Sequence, residues 1–180
     1  MDSKYYAGIG SRETPEHIQK IMTEIGEILE RRKFILRTGY AIGADQAFGK
    51  NVTPRNKEIY NTDDCYIKGE KQSYTKYDLD FAETMVKEYH PVPNSLKGSA
   101  RQLIARNTFQ IFGLGKINTN SAFVICYTQD GAESNVTSVD TGGTGQAIRI
   151  AHDYSIPIYN LKNYIGVSAK EMVDFILKEG

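Results

Sequence analysis

Glycine-rich segments occur near both ends of this chain, at points where a strand is predicted to lead into a helix. The first, Gly8-Ile9-Gly10-Ser11-Arg12, follows the run 5–7, and the second, Gly142-Gly143-Thr144-Gly145, precedes the helical pattern 147–154. A third glycine-rich turn lies between them at 38–45. Glycine lets backbone N–H groups approach an anion closely, and a following helix N-terminus adds positive partial charge. Three such turns predict an α/β protein with a phosphate-bearing ligand.

The N-terminal part of the chain predicts a strand, a helix and a second strand. Residues 5–9 read as a short buried strand, and Thr14 and Pro15 suit a helix N-cap and first helical position. Apolar residues then recur at helical spacing along one face, and 34–36 reads as the next strand. Such a unit is a parallel crossover. Because strands and helices alternate along the chain, we predict one domain over 1–180, α/β and three-layer Rossmann-like, with a mostly parallel sheet and helices on both faces.

The middle of the chain is more polar. Residues 51–64 have few apolar anchors and are interpreted as a loop or an insertion, and 68–77 are again polar. We therefore predict a polar insertion around 49–77. It is interpreted as a solvated insertion, as a cover over the ligand site, or as a support for a dimer.

Two pairs of residues later in the chain match the capping box, a pattern that begins a helix. They are Ser99 with Gln102 and Ser168 with Glu171. Between them, 121–127 is the most apolar predicted strand.

The composition limits the kinds of function. Basic and acidic residues number 22 each, so the formal net charge is zero. Proteins that coat DNA usually carry a basic excess, because neutralising phosphates supplies much of their affinity. No apolar run reaches the roughly 20 residues of a membrane helix and no signal peptide is recognised, so we expect a cytoplasmic protein without a membrane partner. Cys65 and Cys126 are predicted to be buried thiols, and no metal-ligand spacing is present.

The carboxyl edge of the predicted sheet is the expected ligand site, because open parallel sheets bind ligands there. The predicted ligand-binding residues are Gly8, Gly10, Ser11, Arg12, Thr38, Gly39, Gly43, Ala44, Asp45, Arg106, Asn107, Gly142, Gly143, Thr144, Gly145 and Gln146. The nicotinamide fingerprint is incomplete, since Glu13 stands where its third glycine belongs, and no Walker Gly-Lys-Ser/Thr follows the clusters.

Several of these residues also have a structural explanation. A glycine can simply end a strand. Arg12 is either a solvated loop residue or a partner for a phosphate or a base. Asp45 either accepts hydrogen bonds from ribose hydroxyls or caps the following helix. Asn107 lies on an apolar helical face, so its amide needs a partner from a neighbouring backbone or within the site.

Four segments, in their order and spacing, resemble a known family. They are GIGSR at 8–12, RTGYAIGADQAF at 37–48, ARN at 105–107 and GGTGQAIRIA at 142–151. They are similar to the DprA-like branch of the SLOG superfamily, in particular to its small stand-alone proteins often carried by bacteriophages. The resemblance covers most of the chain outside residues 49–98. It implies a Rossmann-like fold whose glycine loops bind nucleotide-like ligands.

The same superfamily includes the LOG-type phosphoribohydrolases. These enzymes carry a glutamate just after their Gly-Gly-x-Gly-Thr motif, whereas Gln146 and Ala147 follow Gly145 here. The resemblance therefore implies ligand binding more directly than N-glycosidic hydrolysis by the LOG route.

Three functions stay open at this point. The first is binding of a nucleotide, cyclic oligonucleotide or ADP-ribose derivative without turnover, which in a phage protein suits sequestration of a host immune signal. The alternative is a nucleoside 5′-monophosphate N-glycosidase, with Asp45 as the catalytic candidate. The second alternative is a single-stranded DNA-binding recombination accessory protein. We expect no required cofactor and, because relatives commonly pair through helices, a homodimer or larger homo-oligomer.

Overall fold

A seven-stranded mixed sheet forms the centre of the computed structural model, which describes residues 5–115 and 119–179. The strands are β1 (Tyr5–Gly10), β2 (Ile35–Thr38), β3 (Lys57–Tyr60), β4 (Asp64–Ile67), β5 (Glu70–Ser73), β6 (Val124–Tyr127) and β7 (Ile158–Asn160). Their order in the sheet is β5-β4-β3-β2-β1-β6-β7. Strands β3, β2, β1, β6 and β7 are parallel, and β4 and β5 extend the sheet as antiparallel strands.

Helices cover both faces of this sheet. They are α1 (Glu16–Arg31), α2 (Ala44–Gly49), α3 (Lys76–Tyr89), α4 (Gly98–Ala105), α5 (Asn107–Phe112), α6 (Gly145–Asp153) and α7 (Ala169–Glu179). Side chains alternate along a strand. Accordingly, Tyr6 of β1 packs in the cluster formed with α1, α2 and α7, while Ala7 and Ile9 pack with α5 and α6. The predicted three-layer α/β fold is confirmed.

Strand β3 corrects one prediction. The loop expected over 51–64 is wrong for Lys57–Tyr60, which pairs in parallel with β2. The buried positions of this strand are Glu58 and Tyr60. Because a charged residue occupies a buried position, the strand lacks an apolar signal in the sequence. The segment 49–77 thus contains three strands, and its status as an insertion stays a prediction.

A buried ion pair joins β3 to the rest of the sheet. Arg37 Nε of β2 donates to Glu58 Oε2 at 2.8 Å, and both side chains are less than a tenth exposed. The Tyr60 hydroxyl donates to the same oxygen at 2.6 Å. Arg37 also donates to the carbonyl of Thr119 and stacks over the Tyr5 ring, 3.9 Å from its centroid. Arg37 therefore connects β2 to β3, to the Thr119 backbone and to Tyr5 of β1.

The polar segment 68–77 also contains regular structure. Strand β5 is fully exposed and lies at the edge of the sheet, where polar residues discourage pairing with other chains. Helix α3 begins at Lys76 and has a capping box that the sequence analysis missed. The Asp78 amide donates to Thr75 Oγ1 at 3.1 Å, and the Thr75 amide donates to the Asp78 carboxylate at 2.8 Å.

Two predicted helix starts need correction. Pro15, not Thr14, occupies the N-cap position of α1, because the Thr14 hydroxyl donates to the Ser11 carbonyl in the preceding turn. The Ser99–Gln102 capping box does not form, since α4 already begins at Gly98 and has no side-chain cap.

The second predicted capping box is confirmed. The Ser168 amide and hydroxyl both donate to Glu171 Oε2, at 2.9 and 2.7 Å. The thiols of Cys65 and Cys126 are free and buried, as predicted. Within 5–115 and 119–179, no helix has the length and apolar character needed to span a membrane.

We expect the fold to be strongly destabilised when one partner of the buried Arg37–Glu58 pair is removed. Replacing Glu58 by Gln keeps the side-chain size but leaves the buried guanidinium without a counter-charge, which costs about 3–5 kcal/mol. Urea unfolding of Glu58→Gln should show this loss in the free energy of unfolding. The control Glu16→Gln removes an exposed pair with Lys20 and should change little. A loss of unfolding free energy below about 1 kcal/mol in Glu58→Gln would contradict the claim that Arg37 depends on Glu58 as its buried counter-charge.

Candidate functional site

The sheet has a switch point between β1 and β6. From β1 the chain passes through α1 to β2 on one side, whereas β6 pairs with the other side of β1 and continues to β7. Ligands of open α/β sheets bind where the connections diverge in this way. The strands end side by side, with Gly10 paired to Tyr127. This point is therefore where a ligand site is expected in a fold of this kind.

A cavity of about 480 Å³ opens at this switch point. Its walls come from the turn after β1, the turn before α2, helix α4, the start of α5 and the turn before α6. The predicted ligand-binding residues that line it are Gly10, Ser11, Arg12, Asp45, Arg106, Asn107, Gly142, Gly143 and Thr144. The structure thus brings together residues from all four segments of the sequence resemblance.

The other predicted residues lie outside the lining, and two glycines among them are required by close approaches. A Cβ on Gly39 would overlap the side chains of Arg106 and Asp45. Gly43 has φ +85°, and a Cβ there would lie 2.6 Å from the carbonyl oxygens of Ser11 and Arg12. These glycines let the turn before α2 pack against its neighbours, and they shape the cavity without lining it.

Three more predicted residues hold β1, β2 and α2 together. Gly8 lies within β1, packed against Leu36 and Phe48. The Thr38 hydroxyl donates to the Gly8 carbonyl at 2.6 Å. The Ala44 amide donates to the Ser11 carbonyl at 3.2 Å, which fixes the start of α2 against the turn after β1.

Gly145 and Gln146 begin helix α6 and do not line the cavity. A Cβ on Gly145 would lie 2.8 Å from Arg149 Nη1. The fully buried Gln146 side chain donates to the carbonyl of Met85 in α3 at 3.0 Å. The described contacts of Gln146 therefore join α6 to α3.

A buried pair of opposite charges borders the cavity. Asp45 Oδ2 lies 3.6 Å from Arg106 Nη2 and accepts from the Ala41 amide at 3.4 Å. Arg106 Nη1 donates to the Tyr60 carbonyl at 2.8 Å, whereas its Nε is buried with no hydrogen-bond partner among the described residues. Burial raises the pKa of Asp45 to about 6, against the opposing effect of Arg106. Asp45 is thus a carboxyl group with a pKa well above its usual range.

Asn107 connects α5 to the glycine turn. Its Nδ2 donates to the Gly143 carbonyl at 2.8 Å, so the amide finds its partner in a neighbouring backbone. Asn107 also lines the cavity. Its amide therefore has a partner in a neighbouring backbone and lies within the site, which were the two alternatives left open by the sequence.

The glycine turn before α6 is held in place by Asp130, which the sequence analysis did not select. Gly142 has φ +62° and ψ −154°, a conformation that favours glycine. Asp130 accepts hydrogen bonds from the hydroxyls of Thr141, Ser138 and Thr128. Burial raises the pKa of Asp130, but these hydrogen bonds outweigh it and lower the pKa to about 2. The feature of the sequence that could have pointed to Asp130 is its position just after β6, at the carboxyl edge of the sheet.

Helix α4 supplies an apolar wall of the cavity. Ala100, Leu103 and Ile104 line the cavity, and of the residues in α4 only Ile104 is buried. Their shared helical face was visible in the sequence, but its contact with a cavity was not.

The charges around the cavity are mixed. Arg12 is exposed, and the described residues provide it with no ion-pair partner, whereas Arg106 is paired with Asp45. Glu13 and Asp140 add carboxylates to the lining. The N-terminus of α6 lies behind the Gly142–Thr144 turn and contributes positive partial charge. Across the described parts of the chain, no group of three or more His, Cys, Asp or Glu residues is placed to hold a metal ion.

The fold is similar to that of a solved structure, DNA processing protein A (DprA) from Helicobacter pylori, described for its mode of binding single-stranded DNA. The sequence identity is 14% and the TM-score is 0.57, over 99% of this chain and 82% of that chain. At this identity the likeness shows a shared Rossmann-like fold, in agreement with the resemblance of the motifs. No family model and no curated protein sequence matches the chain.

The raised pKa of Asp45 predicts a specific pH dependence of stability. Because the native pKa of about 6 exceeds the ordinary value of 3.8, the native state binds this proton more tightly than the unfolded chain. The resulting stability is present at low pH and is lost as the pH rises through 6. Relative to Asp45→Asn, the wild type should lose about 1 kcal/mol of unfolding free energy between about pH 5 and 7. Urea unfolding at each pH measures this free energy. A difference between the two proteins that does not change with pH would contradict the raised pKa of Asp45.

Proposed function

We propose that the cavity binds a nucleotide unit that carries a phosphate. The observation that carries this proposal is the cavity of about 480 Å³ at the β1/β6 switch point, bordered by two glycine-containing turns. This volume lies within the range of about 300–1,000 Å³ for small-molecule sites. The position is also the one at which α/β sheets of this kind bind nucleotides.

The phosphate is assigned to the side of the cavity formed by Arg12 and the Gly142–Thr144 turn. Arg12 offers a planar fork of donors that fits a phosphate. The α6 N-terminus behind the Gly142–Thr144 turn also attracts negative charge. Gly143 has room beside it, since a Cβ there would meet only Ile104 Cδ1, at 3.5 Å.

The sugar and base are assigned to the remaining walls. Asp45 provides an acceptor for sugar hydroxyls, and Arg106 also lines the cavity. The apolar side chains of Leu103 and Ile104 offer a surface on which a base can pack. This arrangement explains why the cavity combines a polar end and an apolar wall.

Two sources of the nucleotide unit fit this chemistry. The likeness to a protein described as binding single-stranded DNA favours a unit within a DNA strand. The zero formal net charge and the three carboxylates in the lining favour a free nucleotide, cyclic oligonucleotide or ADP-ribose derivative. Retention of such a ligand without turnover would suit sequestration of a signalling nucleotide by a phage protein, and a homo-oligomer stays a prediction.

An N-glycosidase is a second candidate, favoured by Asp45. A carboxyl group that lines the cavity and titrates near pH 6 is suited to proton transfer or to stabilising a cation-like sugar. This function requires release of free base from a nucleoside 5′-monophosphate. Binding alone leaves the nucleotide intact.

Substitution of Gly143 tests the proposed function. Gly143→Asp places a carboxylate where the phosphate is expected, so affinity should fall by at least about tenfold. Gly143→Ala adds only a methyl group at ordinary contact distance and should bind within about twofold of the wild type. Calorimetry uses the common nucleoside 5′-monophosphates and 5′-phosphorylated single-stranded oligonucleotides as probes.

The outcomes separate the candidates. Binding of a monophosphate supports a free nucleotide, and binding of oligonucleotides alone supports single-stranded DNA. Mass spectrometry of the recovered monophosphate shows either intact nucleotide or free base, the second indicating the glycosidase. Unchanged affinity of Gly143→Asp for a probe that binds the wild type would show that the glycine turn does not hold the phosphate.

A further inference from the structure

The turn between β2 and α2 is firmly anchored, yet it displays two large apolar side chains. The Ala41 amide donates to Asp45 Oδ2, and the Ala41 carbonyl accepts from the Gln46 amide at 3.2 Å. The Tyr40 carbonyl accepts from Gln46 Nε2 at 3.3 Å. Gly43 packs against the carbonyls of the turn after β1. The backbone that carries Tyr40 is thus held at several points.

The exposed side chains flank a residue of the cavity. Ala41 lines the cavity, while its neighbours Tyr40 and Ile42 are 65% and 64% exposed. Tyr40 makes no ring contact with another described aromatic residue, in contrast to the stacked pair Tyr74 and Phe109. An exposed tyrosine on this anchored backbone, next to a residue that lines a nucleotide-sized cavity, is placed to contact a part of the ligand that extends beyond that cavity.

We propose that Tyr40 is a base-stacking subsite outside the cavity, and that the ligand is an oligonucleotide with at least one unit beyond the unit inside. This inference rests on the proposed function and specifies its ligand class. Every nucleobase has a π-face, so stacking on an exposed tyrosine tolerates any sequence. The loop is preordered, so little loop entropy is lost when the base stacks.

The charge distribution of the protein is consistent with recognition of a second unit by stacking rather than by phosphate contacts. The neutral chain and the mixed charges of the cavity give little general attraction for a phosphate backbone. Stacking is much less dependent on salt than phosphate contacts, and it adds affinity without basic residues. The subsite therefore accounts for recognition of a second unit by a protein that lacks a basic excess.

The test compares a mononucleotide with a single-stranded pentanucleotide. Calorimetry measures the binding of 5′-phosphorylated pentadeoxynucleotides and of the corresponding deoxynucleoside 5′-monophosphates to wild type, Tyr40→Ala, Tyr40→Phe and Tyr77→Ala. Tyr77 is the matched control because it is an aromatic residue 71% exposed that lines none of the described cavities. Thermal unfolding of each variant checks that the fold is retained.

Tyr40→Ala should bind the pentanucleotide about tenfold more weakly and the monophosphates as the wild type does, since one stacked base is lost. Tyr40→Phe should retain affinity because the ring, not the hydroxyl, makes the contact. The inference is overturned if Tyr40→Ala binds the pentanucleotide normally, if it weakens both probes equally, or if Tyr77→Ala has the same effect. A wild type that binds monophosphates with no gain for the pentanucleotide also overturns it but leaves the proposed function standing. A wild type that binds neither probe overturns the inference.

Discussion

The contact between Asp45 and Arg106 joins the elements that surround the cavity. Asp45 lies in the first turn of α2, and Arg106 links α4 to α5 and bonds to the end of β3. Their side chains meet over Gly39, where any Cβ would displace them. Burying this carboxylate raises its pKa to about 6, so the site is maintained at a cost in stability at neutral pH. Perturbed groups of this kind are commonly found at functional sites.

Much of the architecture could be predicted because its signals are local. The alternation of apolar strands with amphipathic helices and the capping pair Ser168 and Glu171 depend on residues close in sequence. Strand β3 could not be predicted in this way. Its buried Glu58 is satisfied by Arg37 of another strand, and the sequence alone does not show that partnership.

The site was only partly predictable, because its position has local sequence signals whereas the contacts of its residues do not. Glycines at the carboxyl edge of the sheet marked its position, but their individual roles depend on distant neighbours. Gly39 and Gly43 allow turns to pack, whereas Gly142 and Gly143 line the cavity. Gln146, expected in the site, instead bonds to Met85, which is distant in the sequence. The wall formed by α4 resembled an ordinary core face, because apolar spacing is the same for a core and for a cavity wall.

Backbone amide chemical shifts during a nucleotide titration test the central claim most directly, because they locate the ligand without substitutions. On adding 5′-phosphorylated single-stranded oligonucleotides or nucleoside 5′-monophosphates, we predict the largest shifts at Arg12, Asp45 and Gly143, around the cavity. Residues of α7 such as Val173, which packs in the core cluster with α1, should be unaffected. Shifts concentrated at 164–175, where a separate cavity lies, or no shifts at saturating concentrations, would contradict a nucleotide site at the β1/β6 switch point.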